Sequence, residues 1–341
     1  MPMAWNYIGQ EWAVDLLKKH IIRNTTRQAY LITGPQGIGR RTLALRFAQV
    51  LNCQKPPTAG EACGTCRACT GIRKEEQADL TIVRRNPERT RILIEQVRDL
   101  QHTLALAPYE SSTRVALLVN FPEATEDAQN ALLKVLEEPP DRVILILTAD
   151  SAESMLPTIS SRCEQIRLRP MKPGDLAKAL QELDGINTAP AGELAHISGG
   201  CPGRAIALGS SKGLYQDRRQ RLTEGLELLH SDVISRFAYA ERTARRNEKM
   251  NQTRDELRLT LQAWGGLWRD IYLAGSGAES YIMNIDLLNE ISGAARVIAA
   301  PDALACLKET TAALWKLENN ANLRLLLEVV LMGWPKLEKA G

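Results

Sequence analysis

The stretch GPQGIGRRT, residues 34–42, sets Gly34, Gly37 and Gly39 in a short loop between a strand pattern and a helical one. Glycines so spaced let backbone N–H groups turn inward on a phosphate. A working loop of this kind, G-x-x-x-x-G-K-[S/T], adds a lysine for the terminal phosphates and a hydroxyl for magnesium. Here those two places read Arg40 and Arg41. A planar guanidinium does not replace a compact ammonium in a tight loop, and Arg41 offers a cation no acceptor while adding positive charge where magnesium would sit. Thr42 is one residue further along, where a helix has turned the side chain by roughly 100° off the required face. Loss of hydrolysis is expected, and ATP binding by this chain is disfavoured. Taken alone, the glycines would also suit a plain strand-to-helix turn.

The carboxylates of such a site point the same way. In ATPases of this kind they stand at the end of a central strand, typically as Asp-Glu. The matching stretch is VALLVNFPEA, where Val119 and Asn120 hold those places and the nearest acid, Glu123, lies too far along.

Cys53, Cys63, Cys66 and Cys69 form a second cluster, C-x9-C-x2-C-x2-C. Thiolates two residues apart can wrap one ion, and four of them make the closed tetrahedral shell of a structural zinc site, with no position left for catalysis. Four cysteines would also suit an iron–sulfur cluster. Cys163, Cys201 and Cys306 read as small buried residues.

These groups need a scaffold, and the pattern supplies one. From Tyr7 to about Arg169 helices alternate with strands: EWAVDLLKKHIIR, AYLIT, TLALRFAQVL, ADLTIV, RILIEQVRDLQHTLAL, STRVALLVN, ATEDAQNALLKVLEE (closed by Pro139–Pro140) and DRVILILTA. That alternation predicts a three-layer α/β domain with a parallel sheet over 1–169, the cysteines lying in an insertion at 53–69. Beyond it the chain reads as helical: a small domain over 170–212, ending near LGSSKG, and a larger one over 213–341. Trp264, Trp268, Trp315 and Trp334 read there chiefly as core, whereas Arg236, Arg242, Arg245 and Arg246 read as solvated helix-surface charge, with DNA contact the lesser reading.

The net charge of +3 over 341 residues neither demands nor excludes nucleic acid. The longest apolar runs, VALLV and VILIL, are strand-length and far short of a membrane span. MPMAWNYIGQEW lacks the pattern of a secretion signal, so a cytoplasmic location is expected.

Several stretches together resemble the bacterial clamp-loader subunits of the AAA+ class. They are YIGQEWAVDLL, AYLITGPQGIGRRTLA, the cysteine cluster, NALLKVLEEPP, LPTISSRC, GGCPGRA and NNANLRLLLE, which in order and spacing span nearly the whole chain. The resemblance implies an AAA+ domain, a small helical lid and a helical C-terminal collar holding the subunits together, and it favours zinc for the cysteines. Motor subunits of this family keep an intact loop and an Asp-Glu strand end, and this chain departs from them as the family's non-motor members do. The implied function is therefore a catalytically inert scaffold in the DNA polymerase III clamp loader. It would assemble with motor subunits and a delta subunit in a hetero-pentamer that places the sliding clamp on primed DNA. Arg162 in SSRC then takes the place of an arginine finger completing a neighbour's ATP site in trans, where a cation stabilises charge on the transferred phosphoryl group. Arg204 matches the second sensor of the lid, or survives as a packing residue, and Thr148 matches the first sensor. The rival readings are an ATP-hydrolysing motor with an atypical loop and a zinc-dependent DNA-binding module outside any loader.

Overall fold

The computed structural model describes residues 5–86, 88–245, 250–318 and 321–337. The chain divides into two compact units, Met1–Lys172 with Cys201–Arg204, and Pro173–Gly200 with Ala205–Gly341.

The first unit is built on strands β1 (Ala29–Thr33), β2 (Leu80–Val83), β3 (Arg114–Leu118), β4 (Val143–Ala149) and β5 (Glu164–Arg167). They form one parallel sheet in the order β2-β3-β4-β1-β5. Its helices are α1 (Glu11–Ile22), α2 (Arg40–Leu51), α3 (Arg67–Lys74), α4 (Ile94–Leu104), α5 (Glu126–Glu137) and the single turn α6 (Pro157–Ser160). Because strand side chains alternate between faces, each buried strand feeds two cores. Tyr30, Ile32, Val115, Leu117, Ile144 and Ile146 point to one face, against Leu17 of α1 and Leu43 and Phe47 of α2. Leu31, Ala116, Leu118, Val143, Leu145 and Leu147 point to the other, against Val97 and Leu100 of α4 and Leu132 and Val135 of α5. Strands apolar on both faces are what a parallel sheet with helices on each side requires. α5 is capped by Thr125, whose hydroxyl accepts from the Ala128 N–H at 3.2 Å, and has Glu126 and Asp127 in its first turn.

Besides the single turn α6, two elements of this unit escape the sequence patterns. β5 reads Glu-Gln-Ile-Arg with only Ile166 buried, too polar to register as a strand. α3 is an eight-residue helix that begins inside the cysteine insertion, with Cys66 as its N-cap and Cys69 in its first turn.

The second unit is helical: α7 (Pro173–Gln181), α8 (Ala191–Ile197), α9 (Pro202–Ser210), α10 (Lys212–Leu229), α11 (Val233–Ala244), α12 (Met250–Gly275), α13 (Leu288–Val297), α14 (Ala300–Glu318) and α15 (Leu323–Met332). The first turn of α9 groups with the first unit. Residues 173–200 and 205–212, expected as part of a lid, are not separated from the expected collar by this division. The core is aromatic: Trp334 meets Trp264 and Trp268 edge-on, with centroids 4.8 and 5.1 Å away. Gly225 of α10 permits the approach of α12, because a Cβ there would lie 2.8 Å from the Trp264 indole nitrogen.

Two expectations for this unit are corrected. Trp315 is 69% exposed, so it is not core. Arg236 is not solvated surface charge but 3% exposed, its guanidinium donating to the carbonyls of Leu228, Leu331, Trp334 and Pro335 at 2.7–3.0 Å. These carbonyls lie at the C-terminal end of α10 and at and just beyond the end of α15, where the helix dipole favours a cation. Arg242 and Arg245 are exposed, Arg245 pairing with Glu241 at 2.9 Å, and Arg246 lies outside the described residues.

Candidate nucleotide-loop site and cysteine cluster

The glycine loop leaves the carboxyl end of β1. Gly34, Gly37 and Gly39 have φ of 145°, 83° and 106°, a region closed to most side chains. The space is closed as well. A Cβ on Gly39 would meet the Tyr7 hydroxyl at 2.6 Å, and one on Gly37 would lie 3.0 Å from the Arg204 backbone. Tyr7 donates to the Ile38 carbonyl at 3.2 Å, and the Gly203 N–H donates to the Gly37 carbonyl at 2.8 Å. The loop is thus packed between an N-terminal tyrosine and the first turn of α9.

Arg40, first residue of α2, is 7% exposed and folds across the ends of the neighbouring strands. Its guanidinium donates to Asp150 Oδ1 at 2.6 Å and to Asn120 Oδ1 at 3.0 Å. Asn120 adopts φ 48° two residues after the end of β3, and its N–H donates to the Thr148 hydroxyl at 2.8 Å. Thr148 is 1% exposed near the end of β4. Arg40, Asn120, Thr148 and Asp150 therefore converge on the region where strand ends face the loop. Arg41 points elsewhere and pairs with Glu75, at the end of α3. Thr42 is exposed on α2, away from this cluster. Cys201 is buried beside the cluster: burial pushes its thiol up, while the charges of Arg204 and Arg40 oppose the shift. Arg204 is half-buried.

Asp150, Glu75 and Tyr7 were not among the sequence candidates. Asp150 had a legible signal, an acid directly after a buried strand in LTAD. Glu75 and Tyr7 had none, since their roles depend on where α3 and the N-terminal segment pack.

Arg162 lies elsewhere in the same unit. It follows α6 and precedes β5, whose Glu164 stands opposite Tyr30 at the start of β1. The glycine loop leaves the other end of β1 after Thr33, so about 13 Å of strand separates the two levels at ~3.3 Å per residue. Arg162 is exposed, bonded to Glu137 Oε1 at 2.8 Å and to the Thr158 carbonyl at 2.9 Å. It borders an open cleft of about 320 Å³ shared with Arg27, Pro139 and Glu164.

The four cluster sulfurs, Cys53, Cys63, Cys66 and Cys69, all lie within 4.8 Å of one another. Cys63 and Cys69 are 4.0 Å apart, close to the ~3.8 Å separation of sulfurs on one tetrahedral ion with 2.3 Å bonds. Backbone N–H groups face the sulfurs: Cys63 N–H to Cys53 at 3.2 Å, Cys66 N–H to Cys63 at 3.3 Å and Cys69 N–H to Cys66 at 3.5 Å. Such donors favour thiolates, and those from Thr65 and Cys66 bring the Cys63 thiol down to about 6. Burial pushes Cys53 and Cys69 up. The donor set fits a soft divalent ion such as zinc. Cys163, Cys201 and Cys306 are buried well away from this shell.

The family described as "DNA polymerase III, delta subunit" matches residues 9–172. The delta' subunit of DNA polymerase III from Pseudomonas aeruginosa is 33% identical over 92% of this chain and 93% of its own. The Bacillus subtilis delta' subunit is 26% identical over 97% of this chain and 99% of its own. The gamma/tau subunit of Mycobacterium tuberculosis is 30% identical, but over 52% of this chain and 30% of its own. A gamma-subunit-related structure from Thermotoga maritima covers 94% of this chain and 97% of its own at 19% identity, with a TM-score of 0.43. Gamma/tau proteins thus match about half of this chain and delta' proteins nearly all of it, and the chain belongs to the delta' subunit family of bacterial DNA polymerase III.

Proposed function

We propose that this delta' family member is a catalytically inert scaffold of the clamp loader, which helps place the sliding clamp on primed DNA within the DNA polymerase III holoenzyme. The observation that carries the reading is the Arg40 guanidinium held between Asp150 and Asn120. A cation of the chain itself stands where strand-end carboxylates and a magnesium ion would act in a motor. Arg41, which would have to bind the metal, is turned away onto Glu75. In this reading the chain has no ATPase activity of its own, Thr148 serves as a hydrogen-bond acceptor for Asn120, and Arg204 packs the loop.

Arg162 is the residue the chain gives to a neighbour. Its position at the opposite level of β1 from the glycine loop supports action in trans, because a side chain cannot span that separation to its own loop. The neighbour is a motor subunit, with a delta subunit on the other side of a hetero-pentamer. The cysteine shell holds zinc as a structural ion, the geometry of the sulfurs supporting that choice. The lid at 170–212 and collar at 213–341 work as separate modules in this assembly, which acts in the cytoplasm; among the described residues no helix is long and apolar enough to cross a membrane.

The second reading, an ATP-hydrolysing motor with an atypical loop, is favoured by the retained glycine conformations alone. Equilibrium binding of fluorescent ATP with magnesium to the purified chain, alongside turnover, separates the two. Absence of turnover supports the scaffold, whether or not nucleotide binds. Turnover that follows the chain through purification and disappears in Arg40→Ala overturns it.

A further inference from the structure

Among the described residues β5 is an end strand of the sheet, paired with β1. Parallel strands bond through alternate residues. Leu168 N–H donates to the Thr33 carbonyl at 2.8 Å, so the main-chain groups of Gln165 and Arg167 face outward from the sheet. The next outward position, Arg169, is already matched by a side chain. Its N–H donates to Gln10 Oε1 at 3.1 Å, and Gln10 Nε2 donates back to the Arg169 carbonyl. One amide side chain thus reproduces the donor–acceptor pair of an adjoining strand at the end of the edge. Beside it opens a cleft of about 610 Å³ bordered by Glu11, Trp12, Gln165, Arg167 and Arg169. Trp12 is 49% exposed, and both arginines are exposed.

We propose that this edge is a docking site for an extended acidic segment of a partner protein, added as a strand beyond β5. Gln165 and Arg167 supply main-chain hydrogen bonds, Arg167 and Arg169 pair with carboxylates of the segment, and Trp12 packs against one of its apolar side chains. Charge selects this occupant. A second copy of this chain would bring Arg167 and Arg169 against their own counterparts, which opposes pairing. A nucleic acid would satisfy the arginines and Trp12 but leave the outward main-chain groups unmatched. The short, charged strand resists indiscriminate pairing and admits a partner of opposite charge.

The test follows amide spectra of the full ¹⁵N-labelled chain during titration with an eight-residue peptide of alternating acidic and apolar residues, Asp-Val-Glu-Leu twice over, and with its lysine counterpart. The expected result is shifts at the Gln165 and Arg167 amides and the Trp12 indole with the acidic peptide. The R167E/R169E chain should lose at least about tenfold in affinity for it and gain binding of the lysine peptide. Arg167→Pro, which removes an outward N–H, should abolish the shifts at an unchanged melting temperature. The gain of lysine-peptide binding is a readout that misfolding cannot produce. No shift at ~1 mM peptide, equal affinity in the charge-reversed chain, self-association through this edge, or preferential binding of oligothymidylate at Trp12 would each overturn the proposal.

Discussion

The guanidinium of Arg40 lies 2.6 Å from the Asp150 carboxylate and ties the first turn of α2 to the segment following β4. The same group reaches Asn120 after β3, so one side chain holds two strand ends against the glycine loop. Arg40→Ala is expected to destabilise the chain by only about 1 kcal/mol, because the Asp150 side chain is 74% exposed and water screens the pair. Arg40→Lys alone should restore no magnesium-dependent hydrolysis, since Arg41, Val119 and Asn120 remain. A thermal melt reads the first expectation and phosphate release the second.

Arg162→Ala should separate assembly from stability. Both partners of the Arg162–Glu137 pair are substantially exposed, at 38% and 52%, so the isolated chain should change by less than ~0.5 kcal/mol. The reassembled loader should lose about 10³-fold in ATP turnover, the loss typical of a removed arginine finger. Unchanged turnover in a loader that still assembles would remove Arg162 from the neighbour's site.

Elemental analysis of the purified chain should find zinc at about one ion per chain, bound by four thiolates. Cys66→Ser should release it and lower the melting temperature of the first unit, because Cys66 contributes a sulfur to the shell, whereas a serine keeps the N-cap of α3. A chain that keeps full metal content after that change would not be using this shell.

Acid should act on the first unit through Asp79. This fully buried carboxylate is pushed up by burial but held down at about 2 by the N–H groups of Tyr109, Glu110 and Ser111 and by Arg114. A depressed carboxylate contributes stability above its unfolded value near 3.9, and that contribution, about 2 kcal/mol, is lost as pH falls toward 2. Asp79→Asn should flatten the fall in stability below about pH 4, as read by urea unfolding across pH.

Arg236→Met should destabilise the second unit by about 3 kcal/mol, because the carbonyls at the ends of α10 and α15 lose a shared donor while buried. Arg236→Lys should recover little, since one ammonium cannot match the spread of a guanidinium fork. Urea unfolding followed by tryptophan fluorescence reads both variants, since Trp264, Trp268 and Trp334 sit in that core.

The failed expectations share a cause. Residue type and helical context predict a solvated Arg236 and a core Trp315, and the structure reverses both because other helices cover the first position and leave the second open. β5 was invisible because an end strand buries one residue where a central strand buries every one.

What the sequence determined by itself was local. Runs apolar on both faces require a covered parallel sheet, three glycines require a loop of positive φ, and four cysteines at short spacing lie close enough to share one ion. Replacement of the lysine and hydroxyl by Arg40 and Arg41 was equally legible, because the absence of a chemical group does not depend on the fold. Where the two arginines go was decided only by tertiary structure: Asp150 lies 110 residues from Arg40 and Glu75 lies 34 from Arg41. An ion pair depends on the distance between charges, and only the packing of β4 and α3 around α2 fixes that distance.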